Sequence, residues 1–221
     1  LDQAAALERR MRTLGRGWEP SLRLCVNELV GLGALFALVR EFQDAGHPTR
    51  LRIDTGVLGG PWEALLAQRA DLAICEVPPA PPSDIAHAPL WNVGFVFAVS
   101  PDHPLARAPQ PVKPAEIRRH RVVVAADSAV SMPARSSGVA NARDVLTVGS
   151  LAAKFEAQLA GLGVGFLPAA LAAPALADGR LVALRVASPK PRVALSMAWR
   201  AAAPGPALRW FTERLGALQP A

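Results

Sequence analysis

Several things are scarce in this 221-residue chain, and each scarcity closes off a class of protein. There is no Tyr, and Trp and Phe together make up 5% of the residues. A surface that stacks nucleic-acid bases on aromatic rings is therefore not expected. There are two cysteines, Cys25 and Cys75, too few for a disulfide scaffold or a multi-cysteine zinc fold. No apolar run reaches the ~18 residues that would span a bilayer. The stretches Leu29–Val39 and Ala169–Ala177 are interrupted by Gly or Pro. The N-terminus, LDQAAALERRMRTLGRG, is polar and does not read as a signal peptide. Lysine is nearly absent. Of 24 basic residues only Lys113, Lys154 and Lys190 are not arginine. The net charge of +6 is spread along the chain, with small clusters at Arg9–Arg16 and Arg118–Arg121, and forms no basic stripe of the kind that binds nucleic acid.

Chemistry-bearing patterns are equally scarce. His47, His87, His103 and His120 are scattered, and none has a Cys, Asp or Glu partner at metal-ligand spacing. No P-loop or dinucleotide fingerprint is present. Gly161–Gly165 is glycine-rich, but it precedes a strand and so lies on the wrong side for a phosphate cradle. Ser136-Ser137-Gly138 does not form a nucleophile elbow. No catalytic residue, metal site or cofactor is expected.

What is present is an alternation. Half of the residues are hydrophobic and 19% are charged, which suits a globular chain of one large domain or two small lobes. Residues 1–15 have the spacing of an amphipathic helix, closed by Gly15, Gly17 and Pro20. Then follow a strand at Leu22–Asn27, a helix at Leu29–Ala45, a strand at Arg50–Thr55, a helix at Pro61–Arg69 and a strand at Leu72–Cys75. This β-α-β-α-β order predicts a parallel, helix-covered sheet. Two β-like segments, Ala86–Trp91 and Gly94–Ser100, lead through a Pro-rich crossover into a second alternating half. Its strands are expected at Arg121–Ala125, Val145–Val148, Val164–Leu167, Leu181–Val186 and Val193–Trp199. Its helices are expected at Pro114–His120, Ser150–Ala160, Pro168–Ala177 and Leu208–Leu218.

In open α/β sheets, ligands bind outside the carboxyl ends of strands, near helix N-termini. That places Asn27, Glu28, Gly56, Val57, Ser128, Ala129, Gly149 and Ser150 as candidate ligand contacts in a cleft between two lobes. Asn27 and Glu28 also suit a purely structural role at the start of a helix. The N–H groups of Ala129 and Ser150 would suit a carboxylate or another polar oxygen. Cys25 and Cys75 lie on predicted core strands and read as buried apolar thiols; a redox pair is the alternative.

Four stretches, in this order and spacing, carry a resemblance. They are LRLCVNELVGLGALFALVREFQ (22–43), LRIDTGVLGGPWEALLAQRADLAIC (51–75), PLWNVGFVFAVSPDHPLA (89–106) and VGSLAAKFEAQLAGLGVGFLPAALAAPALADGRLVAL (148–184). Together they resemble the effector-binding domain of LysR-type transcriptional regulators. The resemblance implies two Rossmann-like lobes joined by two crossovers, in the type II periplasmic-binding-protein manner. Lobe I would be residues 21–98 plus 193–221, and lobe II residues 99–192. Residues 1–19 would hold the end of a linker helix, and the hinge would lie at Ala98, Val99, Ser100 and Arg192. It also implies a cytoplasmic protein, a small-molecule effector, a homo-oligomer (dimer or tetramer) without membrane contact, and DNA binding only through an upstream winged helix-turn-helix. The family often carries Ser or Thr where this chain has Asn27-Glu28. The reactive cysteines of its peroxide-sensing branch lie in the second lobe, unlike Cys25 and Cys75. A transporter solute-binding protein, an enzyme on the same fold and a ligand-free interaction module are the alternatives.

Overall fold

The structure is a computed structural model and describes residues 17–136, 138, 142–202 and 204–217. The expected linker helix over residues 1–15 lies outside the described residues. The chain divides into two compact units. The first runs to Thr55 and takes in Pro61–Trp91 and the chain from Leu195; the second comprises Gly56–Gly60 and Asn92–Ala194.

The first unit is built on a sheet of order β2-β1-β3-β10-β4. Its strands are β1 (Ser21–Asn27), β2 (Arg50–Gly56), β3 (Leu72–Cys75), β4 (Ile85–Val93) and β10 (Val193–Arg200). β1 and β3 pair in parallel, Cys25 beside Ala73, as a β-α-β unit requires. β10 pairs antiparallel with β3, Ser196 beside Cys75, so the sheet is mixed and not wholly parallel. The returning C-terminal strand fills the slot beside β3. Helix α1 (Leu32–Asp44) buries Leu35, Leu38 and Phe42, one stripe at helical spacing. Helix α2 (Gly60–Leu66) packs Ala64 against Cys25 and Ala70. Helix α6 (Pro206–Ala217) buries Trp210, Phe211 and Leu215.

The chain enters the first unit through an aromatic cluster. Trp18 stacks on His47 with ring centroids 4.5 Å apart, and Phe42 meets His47, Trp210 and Phe211 at 4.7, 5.0 and 5.2 Å. Beside it, the Glu19 carboxylate accepts the Ala207 and Leu208 N–H groups at 2.9 and 3.1 Å. A residue nearly two hundred positions away thus caps α6, where a negative charge suits the positive helix end. Gly205 leaves the space that the carboxylate fills.

The second unit holds two small sheets. In the first, β5 (Phe95–Val99) lies between β8 (Gly165–Pro168) and β9 (Val182–Leu184), antiparallel to both. In the second, β6 (Val122–Ala125) pairs in parallel with β7 (Val145–Val148). Around them lie α3 (Pro114–Ile117), α4 (Leu151–Leu159) and α5 (Ala169–Ala177). A core of Phe97, Val99, Leu105, Val112, Ile117, Val122, Val164 and Leu184 holds the unit together.

The sequence reading put residues up to 98 in the first lobe and the hinge at Ala98, Val99 and Ser100. The two compact units divide at Trp91/Asn92 and Ala194/Leu195. Ala98 and Val99 are fully buried and paired with Gly165, Ala183 and Val182, so they are core of the second unit. Arg192 lies two residues from the second crossing point.

Candidate functional site

The site begins where β2 and β6 end. β2 delivers Gly56 and Val57 into a tight turn in which Leu58 has a positive φ of 52° and the Gly60 N–H donates to the Val57 carbonyl at 3.1 Å. β6 delivers Asp127, Ser128 and Ala129. Both segments belong to the second unit, and they clasp each other. The Val57 N–H donates to Ser128 Oγ at 2.9 Å, and the Ser128 hydroxyl lies 3.2 Å from the Val57 carbonyl. The Gly59 N–H donates to Asp127 Oδ1 at 3.0 Å. That oxygen also accepts the Ala129 N–H at 2.9 Å, while Oδ2 accepts the Arg135 N–H at 2.9 Å. One carboxylate thus satisfies three backbone donors.

Two glycines make the approach possible. A Cβ on Gly60 would overlap the Ser128 hydroxyl and come within 3.1 Å of its Cβ; one on Gly59 would come within 3.3 Å of Asp127 Oδ2. At these positions glycine serves close backbone approach.

Parallel pairing of β6 with β7 brings a second turn alongside. Ala125 is in register with Val148, and the Ala126 N–H donates to the Val148 carbonyl at 2.8 Å. The loops 126–129 and 149–150 therefore leave the sheet side by side. Gly149 is exposed with open space at its Cβ position. Ser150 caps α4, its Oγ accepting the Ala153 N–H at 3.1 Å.

Of the residues singled out from the sequence, Gly56, Val57, Ser128, Ala129, Gly149 and Ser150 fall in these neighbouring loops of the second unit. Their polar groups are used differently from the expectation. The Ala129 N–H is taken by Asp127, and the Ser128 and Ser150 hydroxyls bind backbone. Asn27 and Glu28 lie in the first unit, in the turn after β1. Asn27 is buried, its Oδ1 accepting the Leu29 N–H at 3.0 Å. It shapes the turn and is not the N-cap of α1, which is Gly31. Asp127, Gly59 and Gly60 were missed. Their signal was the Asp-Ser pair at a strand end and the Gly-Gly pair before Pro61, each ordinary alone and meaningful only once the two loops meet.

Neither cysteine forms a disulfide, and both are buried. Cys25 is in register with Ala73, two residues short of Cys75, which puts their Cα atoms roughly 8 Å apart, beyond disulfide reach. Burial pushes the Cys25 thiol up to about 11, with Asp54 adding to the shift and Arg69 opposing it. A thiol so held is unreactive. Among the described residues no group of three or more His, Cys, Asp or Glu could hold a metal ion. No helix among them is long and apolar enough to cross a membrane.

Two α/β units connected by chain crossings, with polar turns at the carboxyl ends of their strands, define a ligand-binding fold of the type II periplasmic-binding-protein kind. The family profile described as the LysR substrate binding domain matches residues 15–219, and the chain belongs to that family. It is similar to two Escherichia coli K12 proteins. One is the uncharacterized HTH-type transcriptional regulator YeeY, 31% identical over 95% of this chain and 68% of that protein. The other is the probable HTH-type transcriptional regulator YhaJ, 33% identical over 97% of this chain and 72% of that protein. Among solved structures it shares its fold with the effector-binding domain of QuiR in complex with shikimate, at a TM-score of 0.65 and 17% identity, covering 89% of this chain and 95% of that one. The chain is the effector-binding domain of a LysR-type transcriptional regulator, and the transporter reading is set aside.

Proposed function

We infer that this domain senses a small polar effector at the clasped loops 56–60 and 126–129 and the neighbouring turn 149–150. The observation that carries the reading is the clasp. Two loops from the carboxyl ends of β2 and β6 are joined by three backbone-to-side-chain contacts to Asp127 and Ser128, and Asp127 accepts two further N–H groups of its own loop. A ligand that favours one arrangement of these loops shifts their equilibrium by its differential affinity. The hinge is assigned to the crossings at Trp91/Asn92 and Ala194/Leu195, and Asn27 and Glu28 remain candidate contacts. The relatives are named as transcriptional regulators, which favours a binding module over an enzyme. DNA contact is assigned to a winged helix-turn-helix outside residues 15–219, and the place of action to the cytoplasm, where the DNA is.

The test is a thermal-shift screen of the domain against a metabolite panel. An effector at about 100 times its dissociation constant stabilises the fold by roughly 2.7 kcal/mol. Hydrogen exchange on the hit should show new protection at residues 57–60, 126–129 and 149–151. Protection confined to other segments would move the site elsewhere.

A homodimer through α1 and β2 is also inferred. Phe36 on α1 is 53% exposed beside Arg40, Glu41 and Asp44, and β2 is an edge strand. Phe36→Glu should turn a dimer into a folded monomer in light scattering; an unchanged mass removes that face from the interface.

A further inference from the structure

The charge of the chain is not shared between its two units. The first holds 12 basic and 12 acidic residues, the second 12 basic and 6 acidic, so the whole net charge of +6 falls on Gly56–Gly60 and Asn92–Ala194. An asymmetry of that kind points to a polyanionic partner. The basic residues are scattered along the chain, and folding gathers several of them. Leu105, Val112, Ile117 and Leu184 are buried in a single core, and within two residues of each stands a cation at the surface: Arg107, Lys113, Arg118 and Arg185. Arg107 closes the 3-10 turn Pro104–Arg107, while Lys113 and Arg118 are the two caps of α3, about 7.5 Å apart along its axis. Arg185 is brought alongside by the segment before α3: its N–H donates to Gln110 Oε1 at 2.9 Å and its carbonyl accepts the Val112 N–H at 2.8 Å. Val112 and Val186 form a parallel bridge and pack on that core, so alternation turns Lys113 and Arg185 to the outer face. Arg119 and Arg121 extend the surface and hold the neighbouring carboxylates Glu116 and Asp144. Among the described residues no ion pair takes up Arg107, Lys113, Arg118 or Arg185.

We propose that this face of the second unit is a contact for the phosphate backbone of duplex DNA, made without regard to base sequence, while base reading stays with the winged helix-turn-helix assigned upstream. Five of its six cations are arginine, whose planar fork matches phosphate oxygens and whose charge is permanent. No aromatic residue lies in 104–121, so the face offers charge without a platform for unstacked bases, which favours an intact duplex over a single strand. No large apolar side chain of that segment is exposed either. A protein partner would be expected to meet an apolar centre inside a polar rim, and this face has none. The free energy of such a contact comes from counterion release, so it adds affinity at every sequence alike and fades as salt rises. The face lies outside loops 56–60, 126–129 and 149–150, and it stands or falls separately from the effector reading.

The test is fluorescence anisotropy of the 221-residue chain with a labelled duplex of about 20 base pairs and arbitrary sequence, titrated at several salt concentrations between about 25 and 150 mM. Four phosphate contacts give a slope of about −3.6 in log K against log salt, and two unrelated duplexes should bind within about twofold of each other. Combining Arg107→Gln, Lys113→Gln, Arg118→Gln and Arg185→Gln should weaken binding at least ~10-fold and remove more than half of the slope. Absence of binding at the lowest salt overturns the proposal. So does binding that survives in this variant but is lost when Arg9, Arg10, Arg12 and Arg16 are changed to Gln instead. Tighter binding to a polyglutamate peptide than to the duplex also overturns it and assigns the face to an acidic protein. The slope and the peptide comparison are read on the unaltered chain, so they hold even if a variant misfolds.

Discussion

Ser128→Ala is the perturbation that interrogates the clasp most directly. Its cost follows from what each partner keeps. The Val57 carbonyl loses the hydroxyl but retains the N–H groups of Gly60 and Ser128, at 3.1 and 3.3 Å. The Val57 N–H loses the acceptor at 2.9 Å, in a residue only 8% exposed. An orphaned donor of this kind costs about 1–3 kcal/mol. In a protein of this size that lowers Tm by roughly 2–4 °C per kcal/mol. Gly60→Ala attacks the same bond from the other side, because its methyl takes the space of Ser128 Oγ. The two changes break one interaction, so the double variant should be less destabilised than the sum of the singles, with a coupling of about 1 kcal/mol. Urea unfolding of the four proteins measures it. Strict additivity, or a Ser128→Ala variant within ~0.3 kcal/mol of wild type, would refute the clasp as an energetic unit.

Three further outcomes are expected. Glu19→Ala removes the carboxylate that accepts the Ala207 and Leu208 N–H groups and should cost about 1–2 kcal/mol, with exchange protection lost first at the start of α6. Lys154→Met removes a buried cation whose folded pKa is depressed to about 8 from 10.5. The unfolded chain holds the proton more tightly, so wild-type stability should rise between about pH 8 and 10.5. The advantage of Lys154→Met, up to ~3 kcal/mol at neutral pH, should shrink over that range, and a gap independent of pH contradicts the assignment. His103 accepts the Leu105 N–H on Nδ1 at 3.2 Å, and its pKa is lowered by burial and by His120. The unfolded chain therefore takes the proton first, and stability should fall as pH drops below about 6.5. His103→Asn keeps an acceptor and should flatten that limb of the stability curve.

Much of the fold was legible along the chain. The stretch from Ser21 to Cys75 forms the expected β-α-β-α-β order, because hydrophobic periodicity and Gly-Pro punctuation are local signals. Ser150 opens the expected helix as its N-cap. The antiparallel insertion of β10 beside β3, and of β5 between β8 and β9, was not legible. Pairing partners far apart in sequence leave no mark on the local pattern.

The sequence by itself determined the class of the protein. Alternation and composition pointed to an α/β chain of two small lobes, and the resemblance carried by four stretches pointed to an effector-binding domain. Only the tertiary structure decided which polar groups remain available. Ser128, Ala129 and Ser150 lie at the strand and helix ends where ligands bind, yet each is already bonded to backbone or to Asp127. Asp127, Gly59 and Gly60 gain their meaning from the approach of two loops about seventy residues apart, and Lys154 from its burial. A residue's type sets what it can bond to, but its burial and its partners set what it does, and both are properties of the folded chain.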